Sequence, residues 1–565
     1  MGRMNTVQRN LLQLLKEIDS ICKKYDIEYF LAGGTALGTV RNHVFLPWDD
    51  DIDLYITRDN WDKLRNVLES EKNVLPEGRS FVYNENTKYY RNPIPRYVDN
   101  TTTAIYKSQV LAGKACGQHI ELLIMDPIPN DEKERKEYID LLRVYTELLS
   151  PYFVVNKNLS LDEWQHHYNL YREYCDMCDK EGEEKVIKEL EDKLRSFASD
   201  DECDTYCMRW GINILMYKKK DYGNGRLERF EDGDFPVGEY AEGIFRIAYG
   251  DSWMYIPEYE EQVVHNALQD IEVPFSQYTE RYMDKINRES VFKKYRTNKR
   301  NNAEAYYHRM KSNSLIAKEK LLVYSKHISK RLDGRENELR SLLENKDYDA
   351  LKKEFKDYIS LQSIKNVRRY NLLVPISDKN LATLLLTMID EGKYFNASRF
   401  LNIRKIKEEP LSDELIEIEN IIGICRELSI ARYDKKDSEL VKSLIETHSD
   451  DYPDLIDIYR SRLWIMEMDA KSKENYKAIE ELCEEILDKY PFDGETMAIQ
   501  AKAKMELGND EEAMELYKKA IYNTRNGLIW QKVEDETGIS RIDIERDLIE
   551  EQKIWKAKSI FNWSF

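Results

Sequence analysis

The apolar residues near the N-terminus recur at the spacing of an amphipathic helix. Two apolar runs follow, I-E-Y-F-L-A at 27–32 and I-D-L-Y-I at 52–56, and the second alternates its faces as a half-buried strand does. The pattern therefore predicts a helix followed by two strands. One face of the predicted helix collects Leu11, Leu12, Leu14, Leu15, Ile18 and Ile21.

Helical and extended patterns go on alternating through the first half of the chain. Residues 35–42 and 60–68 have the pattern of short helices, and H-I-E-L-L-I-M-D-P-I-P at 119–129 predicts a third strand closed by prolines. Residues 159–197 are charged and helical in pattern, which indicates a helical insertion. This alternation favours an α/β or α+β domain, expected over residues 1–270.

From about residue 336 the pattern is helical throughout and repeats. A turn residue is followed five positions later by alanine at 345–350, 392–397 and 508–513. Glycine or asparagine there provides a left-handed cap between two helices, and the small alanine lets the second helix pack closely.

The fullest repeat, at 477–521, resembles tetratricopeptide repeats. The resemblance implies an all-α tetratricopeptide-like solenoid over 336–565, whose concave surface would hold a protein partner or a second copy of the chain. A plain helical bundle is the alternative. In the tail, Trp555, Phe561, Trp563 and Phe565 would cap the last repeat or lie in a membrane interface.

Residues 271–335 are predicted to form a basic helical linker. Within 291–331 only Glu304 and Glu319 oppose twelve basic residues, so this segment is expected either to contact anionic lipid or a polyanionic acceptor, or to be a solvated helical connector. The basic residues are Lys293, Lys294, Arg296, Lys299, Arg300, Arg309, Lys311, Lys318, Lys320, Lys326, Lys330 and Arg331.

Composition narrows the function classes. The chain has 565 residues, 42% of them hydrophobic, with a formal net charge of -19. The apolar content excludes a disordered protein, and the acidic balance argues against nucleic acid as a partner. Because the N-terminus lacks a signal-like apolar core and no apolar stretch approaches about 20 residues, we expect a cytoplasmic protein that is either free or peripheral at the inner face of the membrane.

Four of the 8 cysteines are spaced in pairs, Cys175 with Cys178 and Cys203 with Cys207. Paired thiolates are typical zinc ligands. Both surrounding segments have helical patterns and lack the glycines of a zinc knuckle, so the favoured interpretation is that the cysteines are small apolar core residues.

Four aspartates lie within five residues, at Asp49, Asp50, Asp51 and Asp53. Carboxylates this dense repel one another unless a cation neutralises them, and carboxylate oxygens suit Mg²⁺ or Mn²⁺. Asp51 and Asp53 share one face of a strand, and Asp49 joins them if the extended backbone begins at residue 48. Asp50 is either a site residue or part of a solvated loop.

Phosphate-binding features lie just upstream of the aspartates. Gly33, Gly34 and Thr35 form a turn that enters a helix, where backbone N–H groups bind anions, and Arg41 could grip phosphate oxygens with two donors. Glu121 is a lone carboxylate in an apolar strand, which is costly without a partner. We predict that Glu121 faces the aspartates as a metal ligand or a general base.

These blocks resemble the LicD family, which belongs to the nucleotidyltransferase superfamily and is similar to fukutin-type transferases. The residues that carry the resemblance extend over about 11–265. They are 33–53, P-R-Y-V-D-N-T-T-T at 95–103, H-I-E-L-L-I-M-D-P-I-P at 119–129 and F-R-I-A-Y-G-D-S-W-M-Y-I-P at 245–257, with His265 near the end of the domain. The resemblance implies a nucleotidyltransferase fold with helical insertions.

The resemblance also implies a reaction, the transfer of phosphocholine from CDP-choline, with release of CMP, to a glycan or teichoic-acid-type precursor that could be lipid-linked. Asp51 and Asp53, with Asp49, would hold one or two Mg²⁺ ions, and Glu121 would complete the metal site or deprotonate the acceptor. Arg96 stands where the family often has lysine, which implies phosphate binding. Glu121 departs from the usual aspartate. His119 is predicted to point away from Glu121 and to be structural.

Two alternatives remain open at the level of sequence. The donor could be CDP-ribitol, CDP-glycerol or a nucleoside triphosphate. In a different class, the chain could be an interaction scaffold in which the repeats bind partners and the catalytic fold is degenerate. The retained carboxylates favour the enzyme.

Overall fold

A computed structural model describes residues 4–71, 73–105, 116–154, 159–208, 214–257, 262, 268–278, 285–362, 372–406 and 408–539. His265 and the aromatic tail lie outside these residues. The described chain forms two compact units, the first up to residue 307 without 254–256, the second made of 254–256 and 308–539. The domain limits proposed from the sequence stay a prediction.

The first unit mixes helices and strands, as the alternating pattern predicted. Its helices are α1 (Thr6–Lys24), α2 (Gly33–Asn42), α3 (Arg58–Ser70), α4 (Glu132–Leu149), α5 (Leu161–Glu181), α6 (Glu183–Arg195), α7 (Lys219–Tyr222) and α8 (Ala241–Tyr249). The first helix starts at a reciprocal cap, in which Asn5 accepts from the Gln8 backbone and Gln8 accepts from the Asn5 backbone. Its apolar face, including Leu14 and Leu15, is fully buried.

Seven of the strands form one sheet, ordered β1-β2-β6-β4-β3, with β7 and β8 continuing from β6. The strands of the unit are β1 (Phe30–Leu31), β2 (Ile52–Thr57), β3 (Arg79–Val82), β4 (Arg96–Asp99), β5 (Thr103–Ile105), β6 (His119–Pro127), β7 (Thr205–Met208), β8 (Met216–Lys218), β9 (Arg226–Phe230), β10 (Gly233–Val237) and β11 (Leu268–Asp270). All three strands predicted from the apolar runs are confirmed.

Strand β6 is the centre of the sheet. It runs parallel to β2 over residues 120–125, and on its other side it pairs with β4 near its start and with β7 near its end. This exchange of neighbours curls the sheet. It also brings the first half of β6, with Glu121, between β2 and β4.

One element of the first unit contradicts the sequence pattern. Residues 201–210 were expected to be helical, but β7 lies there, paired with both β6 and β8. All four residues of β7 are buried, so the strand is covered on both faces. A short run of this kind has no alternation, and its sequence pattern cannot be distinguished from that of a buried helical turn.

The basic segment lies in one long helix, α9 (Arg288–Leu332), whose first part belongs to the first unit. Lys299 is buried and its Nζ lies 3.0 Å from Glu147 Oε1 on α4. Arg296 and Arg300 pair with Asp179 on α5, each at 3.0 Å. Arg296, Lys299 and Arg300 are therefore part of neither a solvated connector nor an open positive stripe, whereas Lys293 and Lys294 are exposed.

The second unit is helical in its described residues, apart from the short segment 254–256 and the loops. After α9 its helices are α10 (Glu336–Glu344), α11 (Tyr348–Leu361), α12 (Asp378–Asp390), α13 (Tyr394–Lys405), α14 (Asp413–Ser429), α15 (Ser438–His448), α16 (Ile456–Asp469), α17 (Lys473–Lys489), α18 (Gly494–Leu507), α19 (Asp510–Asn523) and α20 (Gly527–Thr537). A π-helical turn, Ile430–Lys435, extends α14.

The predicted turn residues behave as caps at two of three sites. Gly392 and Gly508 have positive φ, at +69° and +92°, and Ala397 and Ala513 are fully buried. Asn345 has an ordinary negative φ, and the left-handed residue is its neighbour Lys346. The mostly helical character is confirmed, whereas a tetratricopeptide-like solenoid stays a prediction.

The core of the second unit contains a buried network of charges. Arg460 binds Asp493 and lies 3.6 Å from Glu495, and Arg432 binds Asp457 at 2.5 Å. All of these side chains are nearly inaccessible to solvent. Such a network is tolerable because each charge has an opposite partner.

None of the helices in the described ranges is both long and apolar enough to cross a bilayer.

Candidate active site

Three charged residues lie side by side across the central strands of the sheet. Asp53 on β2 is in register with Glu121 on β6, which is in register with Arg96 on β4. Residues in register on neighbouring strands project from the same face, so these three side chains meet. Asp51, two residues before Asp53, faces the same way.

The glycine pair opens α2 directly against the aspartates. A Cβ atom on Gly33 would lie 2.9 Å from Asp53 Oδ2, and one on Gly34 would lie 2.6 Å from Asp49 Oδ2. Gly33 also has φ of +53°, which favours glycine. The first turn of α2 therefore approaches Asp49 and Asp53 as closely as it does only because both positions lack a side chain.

Asp53 lies in a strongly acidic setting. Burial, followed by the negative charges of Asp51, Glu121 and Asp49, raises the pKa of the Asp53 carboxyl well above its ordinary value, and Arg96 offsets this only in part. The sequence prediction that the acidic residues converge, with Glu121 drawn in from a distant strand, matches this electrostatic coupling. Such a cluster favours bound cations.

Arg96 holds Glu121. Its Nε and Nη2 donate to Glu121 Oε1 at 3.0 and 2.5 Å, and the guanidinium is 1% exposed whereas Glu121 is 18% exposed. The arginine therefore orients the carboxylate and compensates its charge. A role of Arg96 in binding phosphate stays a prediction.

His119 and Cys116 extend this network, and here the sequence interpretation was wrong. His119 was expected to point away from Glu121, but its Nε2 lies 3.8 Å from Glu121 Oε1. Residues two apart on a strand share a face, so the prediction that His119 and Glu121 point in opposite directions contradicts the strand period. Cys116 Sγ lies 3.4 Å from His119 Nδ1 and 3.5 Å from Arg96 Nη1.

Cys116 and His119 shift each other's pKa. Burial raises the pKa of the Cys116 thiol, but His119 and Arg96 outweigh burial and lower it to about 7. Burial and Arg96 lower the pKa of His119, whereas Cys116 and Glu121 raise it more, to about 9. The two shifts belong to the Cys116–His119 pair, because each group changes the pKa of the other.

The remaining predicted phosphate ligands lie along α2. Thr35 Oγ1 accepts a hydrogen bond from the Asp53 backbone N–H at 3.2 Å, so Thr35 positions the strand that carries Asp53. Arg41, in the last turn, is fully buried, and its Nε donates to Asn42 Oδ1 at 3.1 Å. Phosphate binding by Gly33, Gly34, Thr35 and Arg41 stays a prediction.

Asp50 is separated from the row of carboxylates. It is 7% exposed and accepts a hydrogen bond from Gln269 Nε2 at 2.6 Å, on β11. The solvated-loop interpretation of Asp50 is therefore wrong, because the residue is buried and anchored. Asp49 is equally buried, at 6% exposure, and lies against Gly34.

The donor set suits Mg²⁺ in its chemistry. Among the described residues no group of three or more His, Cys, Asp or Glu side chains is arranged as a complete metal site. Mg²⁺ often takes only one or two carboxylates from a protein and fills its octahedron with water and substrate phosphate. Asp51 and Asp53, on one face, could supply these carboxylates and leave the remaining positions to a diphosphate.

The paired cysteines are dispersed over different elements. Cys175 and Cys178 lie on α5, Cys203 precedes β7 and Cys207 lies on β7, and all four are buried. Burial, the largest cause in each case, raises the pKa of the Cys175 thiol to about 11 and that of Cys178 and Cys207 to about 12. In this structure the thiols therefore stay protonated and pack as core residues.

An aromatic pocket opens beside the acidic row, and sequence reasoning did not identify it. Gly33 lines the pocket and also lies against the Asp53 carboxylate, so the pocket and the acidic row are adjacent. The pocket wall has no charged side chain and contains four aromatic rings. These are Tyr55, Tyr222, Phe245 and Tyr249, with Leu31, Ala36, Val237, Ala241, Ile244 and Ala248 between them.

Tyr249 lies where the pocket meets the carboxylates. Its side chain is 41% exposed, but desolvation of the hydroxyl, followed by the charges of Asp49 and Asp53, raises its pKa. Tyr55 follows Asp53 by two residues on β2, so strand periodicity alone places it on the same face. That parity was the available signal for this pocket.

Comparison with known proteins finds a similarity over part of this arrangement. Residues 26–107 match the family model described as LicD/FKTN/FKRP, nucleotidyltransferase domain. This range contains the glycine pair, the aspartates and Arg96. This stretch of the chain is therefore similar to the nucleotidyltransferase domain of the LicD family.

The individual relatives are similar over short stretches. The Lipopolysaccharide cholinephosphotransferase LicD of Haemophilus influenzae is 30% identical over 132 residues, 22% of this chain and 44% of that protein. Uncharacterized proteins of Rickettsia prowazekii and Rickettsia typhi are 36% and 32% identical over 59 and 65 residues, 10% and 12% of this chain and 22% and 21% of theirs. The chain thus matches less than half the length of each relative. No solved structure matches it significantly.

Proposed function

We propose that the chain transfers phosphocholine from CDP-choline to a hydroxyl group of a glycan acceptor, such as a lipopolysaccharide or teichoic-acid-type precursor, and releases CMP. The observation that carries the proposal is the position of an uncharged aromatic pocket beside a row of carboxylates. A quaternary ammonium binds the faces of aromatic rings, and a diphosphate needs a cation site. CDP-choline requires both features a few ångströms apart.

The proposed transfer forms one P–O bond and breaks another. The acceptor oxygen attacks the phosphorus that bears choline, a new P–O bond forms, and the bond from that phosphorus to the bridging oxygen of CMP breaks. The Glu121 carboxylate, oriented by Arg96, takes the acceptor proton and returns it to solvent. CMP leaves with the electron pair of the broken bond. Rate enhancement comes mainly from positioning and charge stabilisation.

Asp51 and Asp53, with Asp49, would hold Mg²⁺, which neutralises diphosphate charge when bound. The backbone N–H groups at the start of α2 can approach the same phosphates because Gly33 and Gly34 have no side chains. Arg41 would add positive charge at the other end of that helix. The site as a whole therefore separates an ammonium subsite from a phosphate subsite.

The donor is tested by a screen of the purified full chain with Mg²⁺ and a glycan acceptor. CDP-choline, CDP-ribitol, CDP-glycerol and a nucleoside triphosphate are supplied in turn, and release of CMP or diphosphate is measured. We expect release of CMP from CDP-choline, abolished in Asp53→Asn and kept in Asp234→Asn, an exposed aspartate on β10. Turnover of another donor in preference to CDP-choline would overturn the choline assignment. Equal turnover by Asp53→Asn would overturn the site.

A further inference from the structure

The second part of α9, residues 308–332 in the second unit, exposes apolar side chains to an unusual extent. Leu315, Ile316 and Val323 are 60%, 63% and 73% exposed, and Leu322 and Tyr324 are 36% and 46% exposed. Single exposed apolar residues are ordinary on protein surfaces, but five within ten residues form a patch.

Helical geometry gathers four of these residues on one side. Leu315 and Leu322 are seven residues apart, as are Ile316 and Val323, so at about 100° per residue all four lie within an arc of about 120°. Ser325 and Ile328, on the opposite side, are 1% and 0% exposed. The helix therefore packs on the second unit through one side and presents apolar residues from the other.

The exposed side is also strongly basic. Between 308 and 332 the only acidic residue is Glu319. Four lysines lie among and beside the apolar residues, and within the described part of the chain none of them forms a salt bridge. They are Lys318, Lys320, Lys326 and Lys330. This contrasts with the first part of α9, where Arg296, Lys299 and Arg300 are paired with acids.

Charge decides which occupant fits this surface. A second copy of the chain would bring these lysines against one another, and like charges at close range disfavour that contact. A bilayer with anionic headgroups attracts each lysine and accepts the apolar side chains between them, while the lysine stems extend along the apolar surface. Helices that lie in the plane of a membrane have this combination of residues.

We propose that the 315–330 face of α9 is a peripheral membrane-binding surface that lies flat on an anionic lipid bilayer. The proposal does not depend on the donor or on the chemistry of the active site. The membrane contact predicted for the basic residues of 291–331 is thereby confined to the second part of α9, where exposed apolar side chains accompany the lysines.

The test is co-sedimentation of the full chain with vesicles. One set contains equal amounts of phosphatidylglycerol and phosphatidylcholine, the other phosphatidylcholine alone. We expect binding to the anionic vesicles only, weakened by salt. A triple variant, Leu315→Gln, Ile316→Gln and Val323→Gln, should lower the bound fraction about tenfold or more, and so should replacement of the four lysines by glutamine.

Met468→Gln is the matched control, because Met468 is 54% exposed on α16 of the same unit. It should bind like the parent protein, and circular dichroism should show unchanged helix content in all variants. Absence of binding to anionic vesicles, or parental binding by the triple variant, would overturn the proposal. So would a lipid-free dimer that the triple variant abolishes in analytical ultracentrifugation, since a second copy would then occupy this face.

Discussion

At the scale of single residues, Asp53 is a buried carboxylate that is repelled by three neighbouring carboxylates. Its raised pKa means that the folded chain resists ionising it, so its charge destabilises the cation-free protein above the ordinary aspartate pKa. We expect Asp53→Asn to stabilise the protein in the presence of a chelator by about 1 kcal/mol or more. The same variant should lose most of the rise in Tm that Mg²⁺ gives the parent chain.

Thermal denaturation with and without Mg²⁺ measures both effects. Asp234→Asn, on the exposed side of β10, should change neither value. If Asp53→Asn instead lowered Tm in chelator, repulsion within the acidic cluster would not destabilise the cation-free protein.

Gly34 is constrained by space, not by its own backbone conformation. In Gly34→Ala the new methyl group would meet Asp49 Oδ2 at 2.6 Å, so either the helix or the carboxylate must move. We expect a loss of CMP release of roughly tenfold or more, since small displacements in a site are costly. Gly423→Ala on α14, where a methyl group meets nothing within 4 Å, should keep full activity.

Tyr249 tests the ammonium subsite. Tyr249→Leu keeps an apolar wall but removes the ring face, which is worth about 0.5–2 kcal/mol toward a quaternary ammonium. We therefore expect KM for CDP-choline to rise several-fold while any slow turnover of CDP-glycerol is unaffected. A parallel loss for both donors would indicate that the residue supports the fold and not the choline group.

Much of this site was predictable at the residue scale, because strand parity links Asp51 to Asp53 and a lone charge singles out Glu121. The hydrogen bonds between Arg96 and Glu121 were not, since they depend on the register of β4 against β6, which is tertiary information. His119 was misassigned although parity alone places it beside Glu121. Parity also places Tyr55 on the same face as Asp53. Tyr55 was not singled out, because tyrosine is abundant in this chain and no single tyrosine stood out in the sequence.

At the scale of elements, the first part of α9 is held by Lys299. Its Nζ reaches Glu147 and the backbone carbonyl of Ser150, at 3.0 and 2.6 Å, and the Glu147 side chain is fully buried. Lys299→Ala would leave a buried carboxylate without its main counter-charge, which costs about 3–5 kcal/mol. We expect the midpoint of chemical denaturation of the first unit to fall accordingly.

A double variant, Lys299→Met with Glu147→Gln, should recover part of this loss, because it removes both charges. Lys326 is exposed on the same helix, so Lys326→Ala should change the free energy of unfolding by less than about 0.5 kcal/mol. If Lys299→Ala were as mild as Lys326→Ala, the ion pair would not anchor the helix.

Element types were predictable where the pattern was long, as for α1, β2 and β6. The prediction failed at 201–210, where β7 exists because the second half of β6 needs a partner after β4 ends. The basic segment was recognised as helical, but its sequence could not show that acids on α4 and α5 neutralise one part and leave the other open. Pairing partners more than a hundred residues away carry that information.

At the scale of the whole molecule, the net charge of -19 does not indicate that some charged side chains are buried in the interior. In the second unit, burial opposes ionisation of Asp493, but Arg460 and Thr496 outweigh burial and lower its pKa. A lowered carboxyl pKa stabilises the fold above the unfolded-state value, about 3.9, and this contribution disappears as the pH falls through the folded-state pKa.

Asp493→Asn should keep the cap on α18 but lose the charge that Arg460 requires. We expect a loss of about 3–5 kcal/mol at pH 7 that shrinks toward zero as the pH falls below about 4. Asp437→Asn, an exposed cap on α15, should show no such pH-dependent difference. Denaturant titrations at several pH values measure the free energy of unfolding of each variant. If the loss in Asp493→Asn did not change with pH, the ion pair with Arg460 would not be its cause.

The mixed first unit and the helical second unit were predictable from the change of pattern along the chain. The network around Arg460 was not, because its members come from separate helices and each looks like an ordinary surface charge in the sequence.

The contact between Gly33, Gly34 and the carboxylates has a consequence for how this domain diverges. Gly34 is confined by Asp49 alone, so a copy that loses Asp49 also loses the reason to keep Gly34, whereas the positive φ of Gly33 still favours glycine. A larger residue at 34 should therefore appear together with a substitution at 49 in related chains. Such paired loss would mark inactive descendants more sharply than a missing aspartate alone.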